Sequence, residues 1–158
     1  MSWSYKTTID PADRLFSEHI RNRDGWKCKL KFKCTGVIDF SNNRKGLACC
    51  HYHGRVKRTV RFDGDNADAG CTLCHRYYDE EMPRVLKEEW KKNQLGEIRF
   101  RNLNVRANRS RVAQKPDKKM ELIYVKAIIE ENRQVLEYLI TPISKSKGKK
   151  NDTKSSKK

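Results

Sequence analysis

Over residues 117–140 the apolar positions Met120, Ile123, Tyr124, Ala127, Ile128, Val135, Leu136, Leu139 and Ile140 fall at helical spacing, and Pro142 ends the run. The pattern predicts one long amphipathic helix. A first helix is marked by Asp10 as its cap, Pro11 at the first helical position and Asp13 in the first turn, with Leu15, Phe16 and Ile20 on one face until Gly25. Pro83 opens another, carrying Leu86 and Trp90, with Gly96 near its end. Residues 37–40, 46–52 and 59–62 are short runs of β-formers broken by polar and glycine residues, which suits a small antiparallel hairpin. Residues 71–81 show no strand alternation and contain good helix formers, so the pair Cys71 and Cys74 is expected to open a helix that carries His75 inward. Residues 97–111 are arginine-rich, with Ile98, Leu103 and Val105 as sparse anchors, and read as a basic helix or an ordered basic arm.

Composition narrows the class. A chain of 158 residues with 36% hydrophobic and 35% charged residues has the length of one domain and a modest core that would profit from a metal staple. The formal charge is +16, suited to a polyanion such as nucleic acid. Residues 144–158 hold seven lysines and one aspartate, so this stretch reads as a disordered tail carrying +6 and leaves +10 on the rest. No apolar run approaches the roughly 20 residues needed to cross a bilayer, and the first ten residues lack a signal pattern. The expectation is a cytoplasmic protein without membrane contact.

Six cysteines in such a setting favour metal ligation over disulfides. Cys28 and Cys34 bracket the basic loop 29–33, and Cys71 and Cys74 form a tight C-x-x-C pair; together they can supply a tetrahedral thiolate site for structural Zn²⁺. The first pair is wider than the usual spacing, which leaves open a site completed by Cys49 or Cys50 in place of Cys34.

The segment 28–80 resembles an HNH endonuclease of the ββα-metal type with flanking cysteine pairs. More narrowly, Phe16-Ser-Glu-His-Ile-Arg-Asn-Arg-Asp24, Cys50-His-Tyr-His-Gly-Arg55, Val60-Arg-Phe-Asp-Gly-Asp-Asn66 and Cys71-Thr-Leu-Cys-His75 resemble the phage lambda NinG (Rap) group of recombination proteins and related phage HNH proteins, over roughly residues 10–110. The resemblance implies that His51 is the general base, that Asn66 braces the loop and helps orient that histidine, and that His75 is a ligand of a catalytic divalent cation. Many HNH enzymes place an aspartate or histidine just before the base as a second ligand, where this chain has Cys50. His53, on the face of His51 if the segment is a strand, or Asp79, one helical turn after His75, is expected to fill that role.

These roles are chemically coherent on their own terms. Phosphodiester hydrolysis needs an in-line water, a base near neutral pKa and a cation to offset charge on the scissile oxygens. With thiolates on the zinc, the catalytic cation is expected to be a separate Mg²⁺ or Mn²⁺. Phosphate contacts are expected from Arg55, Lys57, Arg58 and Arg61 near the motif and from Arg99, Arg101, Arg106, Arg109 and Arg111 further on. Trp26, Phe62, Trp90 and Tyr124 read as core, and His19 as packing or solvent-facing.

The expected fold is α+β, a small zinc-stapled ββα-metal core at 26–82 preceded by a helix at 1–25 and followed by a helical extension at 83–143. The expected function is a divalent-metal-dependent HNH endonuclease that nicks or cuts DNA, whether double-stranded, nicked or branched, encoded by a phage or mobile element and used in recombination, replication or packaging. The rival is a zinc-dependent DNA-binding or recombination-accessory protein that does not cleave. The helix at 117–140 is expected either to form a homodimer or to close the core of a monomer.

Overall fold

The computed structural model describes residues 9–34, 40, 46–109 and 117–140. The expected β-segment at 37–39, Arg111, Pro142 and the lysine-rich tail lie outside them. The architecture is mixed α and β, mostly helical around one two-stranded sheet.

Helix α1 spans Pro11–Arg23. It begins because the Asp10 carboxylate accepts a hydrogen bond from the Ala12 N–H at 2.9 Å and Pro11 needs no amide partner there. It ends where Gly25 turns into the left-handed region at φ +63°. Ala12, Phe16 and Ile20, four apart, are buried along one stripe.

Strand β1, Leu47–His51, pairs antiparallel with β2, Ala67–Cys71, in a register that sets Leu47 opposite Cys71 and His51 opposite Ala67. The hairpin's second strand is therefore not residues 59–62. That segment forms a short 3₁₀ turn, Arg58–Val60, followed by Phe62, and its apolar side chains are plugs: Val60 and Phe62 are buried in separate clusters. The sequence Ala-Asp-Ala-Gly-Cys has little β-propensity, yet all five residues are buried because elements pack on both faces of the strand. Gly70 is required by that packing. A β-carbon there would lie 2.6 Å from the Sγ of Cys50 and 2.6 Å from Cδ1 of Leu30.

Cys71 leads into α2, Thr72–Arg76, which runs on as a wider π turn, Tyr77–Glu81. Helix α3, Arg84–Leu95, starts after Pro83 and stops at Gly96, φ +78°. The arginine-rich segment is a helix, α4, Glu97–Asn108, anchored by Phe100, Leu103 and Ala107. Helix α5, Lys118–Ile140, is capped by Asp117, which accepts from the amides of Lys119 and Met120 at 3.0 and 3.2 Å.

Helix α5 packs against the α1 side of the molecule with Val125 fully buried and Leu122, Ile128 and Ile129 beside it, so it closes the core of the single chain. Its buried stripe is offset from the one the periodicity suggested: Met120, Ile123, Tyr124 and Val135 are exposed, and Tyr124 is not a core residue. The helix is apolar over a wide arc, and the partner helix decides which part of it is covered.

Charged side chains tie these pieces together. Lys91 of α3, 1% exposed, contacts Asp68 of β2 at 2.5 Å, and Gln94 donates to the same carboxylate at 2.7 Å. Arg61 bridges Asp13 of α1 at 2.6 Å and Glu121 of α5 at 3.2 Å.

Candidate metal centre and catalytic cleft

The Sγ atoms of Cys28, Cys34, Cys71 and Cys74 all lie within 4.8 Å of one another. A tetrahedral site with Zn–S bonds of about 2.3 Å sets its sulfurs about 3.8 Å apart, so with a small contraction this cluster could hold a metal such as zinc. The pairs come from the loop after α1 and from the junction of β2 with α2, so a metal there joins the start of the core to its sheet. Backbone amides already point at the sulfurs: Cys71 N–H donates to Cys28 Sγ at 3.3 Å, and Lys33 N–H to Cys74 Sγ at 3.2 Å. Burial pushes the Cys74 thiol up, but the Lys33 amide and the thiols of Cys34, Cys71 and Cys28 outweigh it and hold Cys74 below its ordinary value. Cys34 completes the set, not Cys49 or Cys50. Burial pushes the Cys49 thiol up to about 12 and raises Cys50 further still, and the Cys50 Sγ lies 3.9 Å from the Ala48 carbonyl, away from the cluster.

His51 closes β1. Its Nε2 lies 3.1 Å from the Arg61 carbonyl oxygen, which can only accept, so Nε2 carries the proton and Nδ1 is left with a lone pair. The ring packs against Phe16, with centroids 6.2 Å apart. Burial lowers its pKa; the hydrogen bond to Arg61 works the other way, and the Arg55 guanidinium adds to the lowering.

Asn66, fully buried ahead of β2, holds the intervening loop by three bonds. Its Oδ1 accepts from His53 N–H at 2.7 Å, and its Nδ2 donates to the carbonyls of His53 and Val60, both at 2.9 Å. Val60 precedes Arg61, so Asn66 fixes the stretch whose carbonyl orients His51.

His75, on α2, lines the same cleft as His51, a space of about 240 Å³ between α1 and the sheet that is also lined by Cys49, Asp13, Arg14, Arg21 and Arg55. The His75 Nε2 is 2.9 Å from Asp79 Oδ2, one turn on. The two form an adjacent pair of donors. His53 does not join them: β1 has ended at His51, and the His53 ring turns to α4, where Nε2 meets Asn104 Oδ1 at 2.9 Å. Among the described residues, no third His, Cys, Asp or Glu gathers with His75 and Asp79.

The basic residues divide into two groups. Arg58 and Arg61 are drawn into ion pairs with Glu121 and Asp13, and Arg106 with Asp63 and Asp65 at 2.7 and 3.2 Å; these three fasten the loop to α1, α5 and α4 and are not available as primary phosphate contacts. Arg99, though exposed, also pairs with Asp65. Arg55, Lys57, Arg101 and Arg109 are exposed, with Arg55 3.7 Å from Asp13 and Arg101 3.9 Å from Glu97 in loose surface pairs. Arg101 and Arg109 border a shallow groove of about 470 Å³ along α4 that contains none of the histidines. Arg14 and Arg21, to which the sequence alone assigns no function, both line the His51 cleft. Their spacing on α1 with Ser17 between them, opposite the Ala12, Phe16 and Ile20 stripe, is the signal that places them on one face. The Asp13 carboxylate in the cleft is engaged by Arg61, so the cleft presents net positive charge.

Comparison of the chain with protein-family models, with curated proteins and with solved structures finds no match in any of the three.

Proposed function

We propose that this protein is a divalent-metal-dependent endonuclease of the HNH type that hydrolyses DNA phosphodiester bonds, with zinc held by the four cysteines as a structural staple. One observation carries the reading. A histidine with its Nε2 proton tied to a backbone carbonyl and a second histidine paired with a carboxylate face one basic cleft.

In this reading a phosphate group enters between Arg14, Arg21 and Arg55, whose guanidiniums offset its charge and set its orientation. His51 takes a proton from the attacking water at Nδ1; its depressed pKa keeps it neutral and able to accept near pH 7. His75 and Asp79 supply two protein donors for Mg²⁺ or Mn²⁺, with water filling the remaining positions, a common arrangement for Mg²⁺. An ion held by these two donors would supply charge compensation for the scissile oxygens and the leaving group. Asn66 acts through the loop that it braces. The basic surface gives sequence-independent affinity, which suits a nuclease of weak sequence preference.

A zinc-stapled DNA-binding or recombination-accessory protein without cleavage has one observation in its favour: Cys50, the residue before His51, is buried and turned from the cleft, so the cation has no third protein ligand among the described residues. Nicking of supercoiled plasmid in Mg²⁺ or Mn²⁺, compared between wild type and His51→Ala, separates the two. Metal-dependent nicking lost in the variant supports the nuclease; wild type that binds DNA and never nicks it supports the binding protein.

A further inference from the structure

The knuckle that carries the first cysteine pair has a regular in-and-out pattern. Cys28 and Leu30 are buried, Phe32 and Cys34 half-buried, and the alternating lysines Lys27, Lys29, Lys31 and Lys33 are all exposed. Residues 25–34 contain no acidic side chain. The preceding Asp24 is already bound by Arg23 at 2.8 Å and by the Ala69 amide at 2.8 Å. The backbone is held to the sheet by Lys29 N–H on the Ala69 carbonyl at 2.7 Å, so the four ammonium groups stand on a fixed support.

One end of this row reaches the cleft through Arg21. Next to Lys27, Trp26 lies under the guanidinium of Arg21, 5.3 Å from the ring centroid, and Arg21 lines the cleft. At the other end the Lys33 ammonium lies 4.1 Å from the ring centroid of Tyr77, two residues after His75. Lys31 adds a conformational argument. Its φ is +55°, a region that glycine adopts without penalty and lysine does not. A side chain kept where the backbone disfavours it points to a role for that side chain.

We infer that Lys27, Lys29, Lys31 and Lys33 form a phosphate-binding row that continues the DNA path beyond the His51 and His75 cleft, displayed by the cysteine-metal knuckle. The inference rests on the DNA-binding part of the proposed function. The row makes contacts to the backbone and not to base edges, so it adds affinity and footprint length without sequence preference.

The test compares two triple variants of the full chain that each remove three positive charges: Lys29→Ala with Lys31→Ala and Lys33→Ala on the knuckle, and Lys118→Ala with Lys119→Ala and Lys126→Ala on α5. Binding of a fluorescent 20-base-pair DNA duplex is measured across a salt series, with zinc content as a check on the knuckle. The knuckle variant should keep its zinc, lose on the order of tenfold in affinity, and flatten the dependence of log K on log salt by about 0.9 for each lysine that sits on a phosphate. The α5 variant should retain close to the wild-type slope. Equal slopes in the two variants overturn the phosphate row while leaving the cleft intact. Wild type that fails to bind the duplex overturns the DNA reading itself, as does a clear preference for an RNA duplex of the same sequence. Lys31→Gly guards against misfolding as an explanation: it should melt at a higher temperature than wild type and still bind DNA about two- to threefold more weakly. Unchanged affinity in that variant overturns the row as well.

Discussion

The Nε2 of His51 is hydrogen-bonded to the carbonyl oxygen of Arg61 at 3.1 Å, which leaves Nδ1 as the only nitrogen on that ring able to accept a proton. Burial lowers the pKa of the ring from its ordinary value near 6.5. A base must be unprotonated to act, so the nicking rate should fall as the pH drops through the depressed value, with its half-maximum below pH 6.5. A pH–rate profile at saturating Mg²⁺ checks this. A half-maximal rate at or above pH 6.5 would show that a different group, or a differently held histidine, limits the reaction.

Zinc content follows the thiol cluster. Cys34→Ser should lose the metal and unfold at lower temperature, since metal binding and folding are coupled in small domains of this kind. Cys49→Ser should keep about one zinc per chain, because Cys49 is outside the cluster. Elemental analysis of both variants decides the ligand set, and equal zinc in the two would remove Cys34 from it.

How far the sequence carried the fold depended on the range of each interaction. The cap of α1 at Asp10 and the start of α3 after Pro83 were legible because capping is chemistry between near neighbours. The cysteine cluster was legible from spacing. Strand β2 was not, since Ala, Asp, Ala, Gly and Cys become a strand only through burial on both faces. The placement of His53 depended on where β1 ends, one residue after Cys50. Arg58, Arg61 and Arg106 looked like phosphate ligands because their partners Asp13, Asp63 and Glu121 are distant in sequence and leave no local signature. The cleft face of α1, with Arg14 and Arg21, was present in the helical period but had no partner surface to give it meaning.

The contact between Lys91 and Asp68 is nearly dry, with side chains 1% and 6% exposed. Removing Lys91 leaves the buried Asp68 charge with only Arg23, 3.6 Å away, to offset it, so Lys91→Ala should destabilise toward the lower end of about 3–5 kcal/mol. Burial lowers the pKa of Lys91 against the pull of Asp68, consistent with a charge kept only by its partner. Lys91→Met combined with Asp68→Asn removes both charges and should recover part of the loss. Urea unfolding of the three proteins measures it; a loss below about 1 kcal/mol for Lys91→Ala, typical of an exposed pair, would contradict burial of the contact.

Gly70 is needed for space. With Cys50 and Leu30 each 2.6 Å from where a β-carbon would sit and both buried, Gly70→Ala should cost about 1–3 kcal/mol by overpacking. Gly70→Ala combined with Cys50→Ala should recover part of that. An unchanged melting temperature in the single variant would show that the sheet and the 29–33 loop are not packed as closely as described.

The roles of the two histidines are separable in one cation titration of plasmid nicking, with wild type, His51→Ala and His75→Ala run side by side and DNA binding measured on the same preparations. His51→Ala should bind DNA as wild type does and lose turnover at every Mg²⁺ or Mn²⁺ concentration, since a missing base cannot be supplied by the ion. His75→Ala should need more cation and regain part of the rate when it is supplied. Wild-type nicking rates in both variants, or a wild type that binds DNA and shows no metal-dependent nicking of it, would contradict the assignment of a nuclease to this cleft.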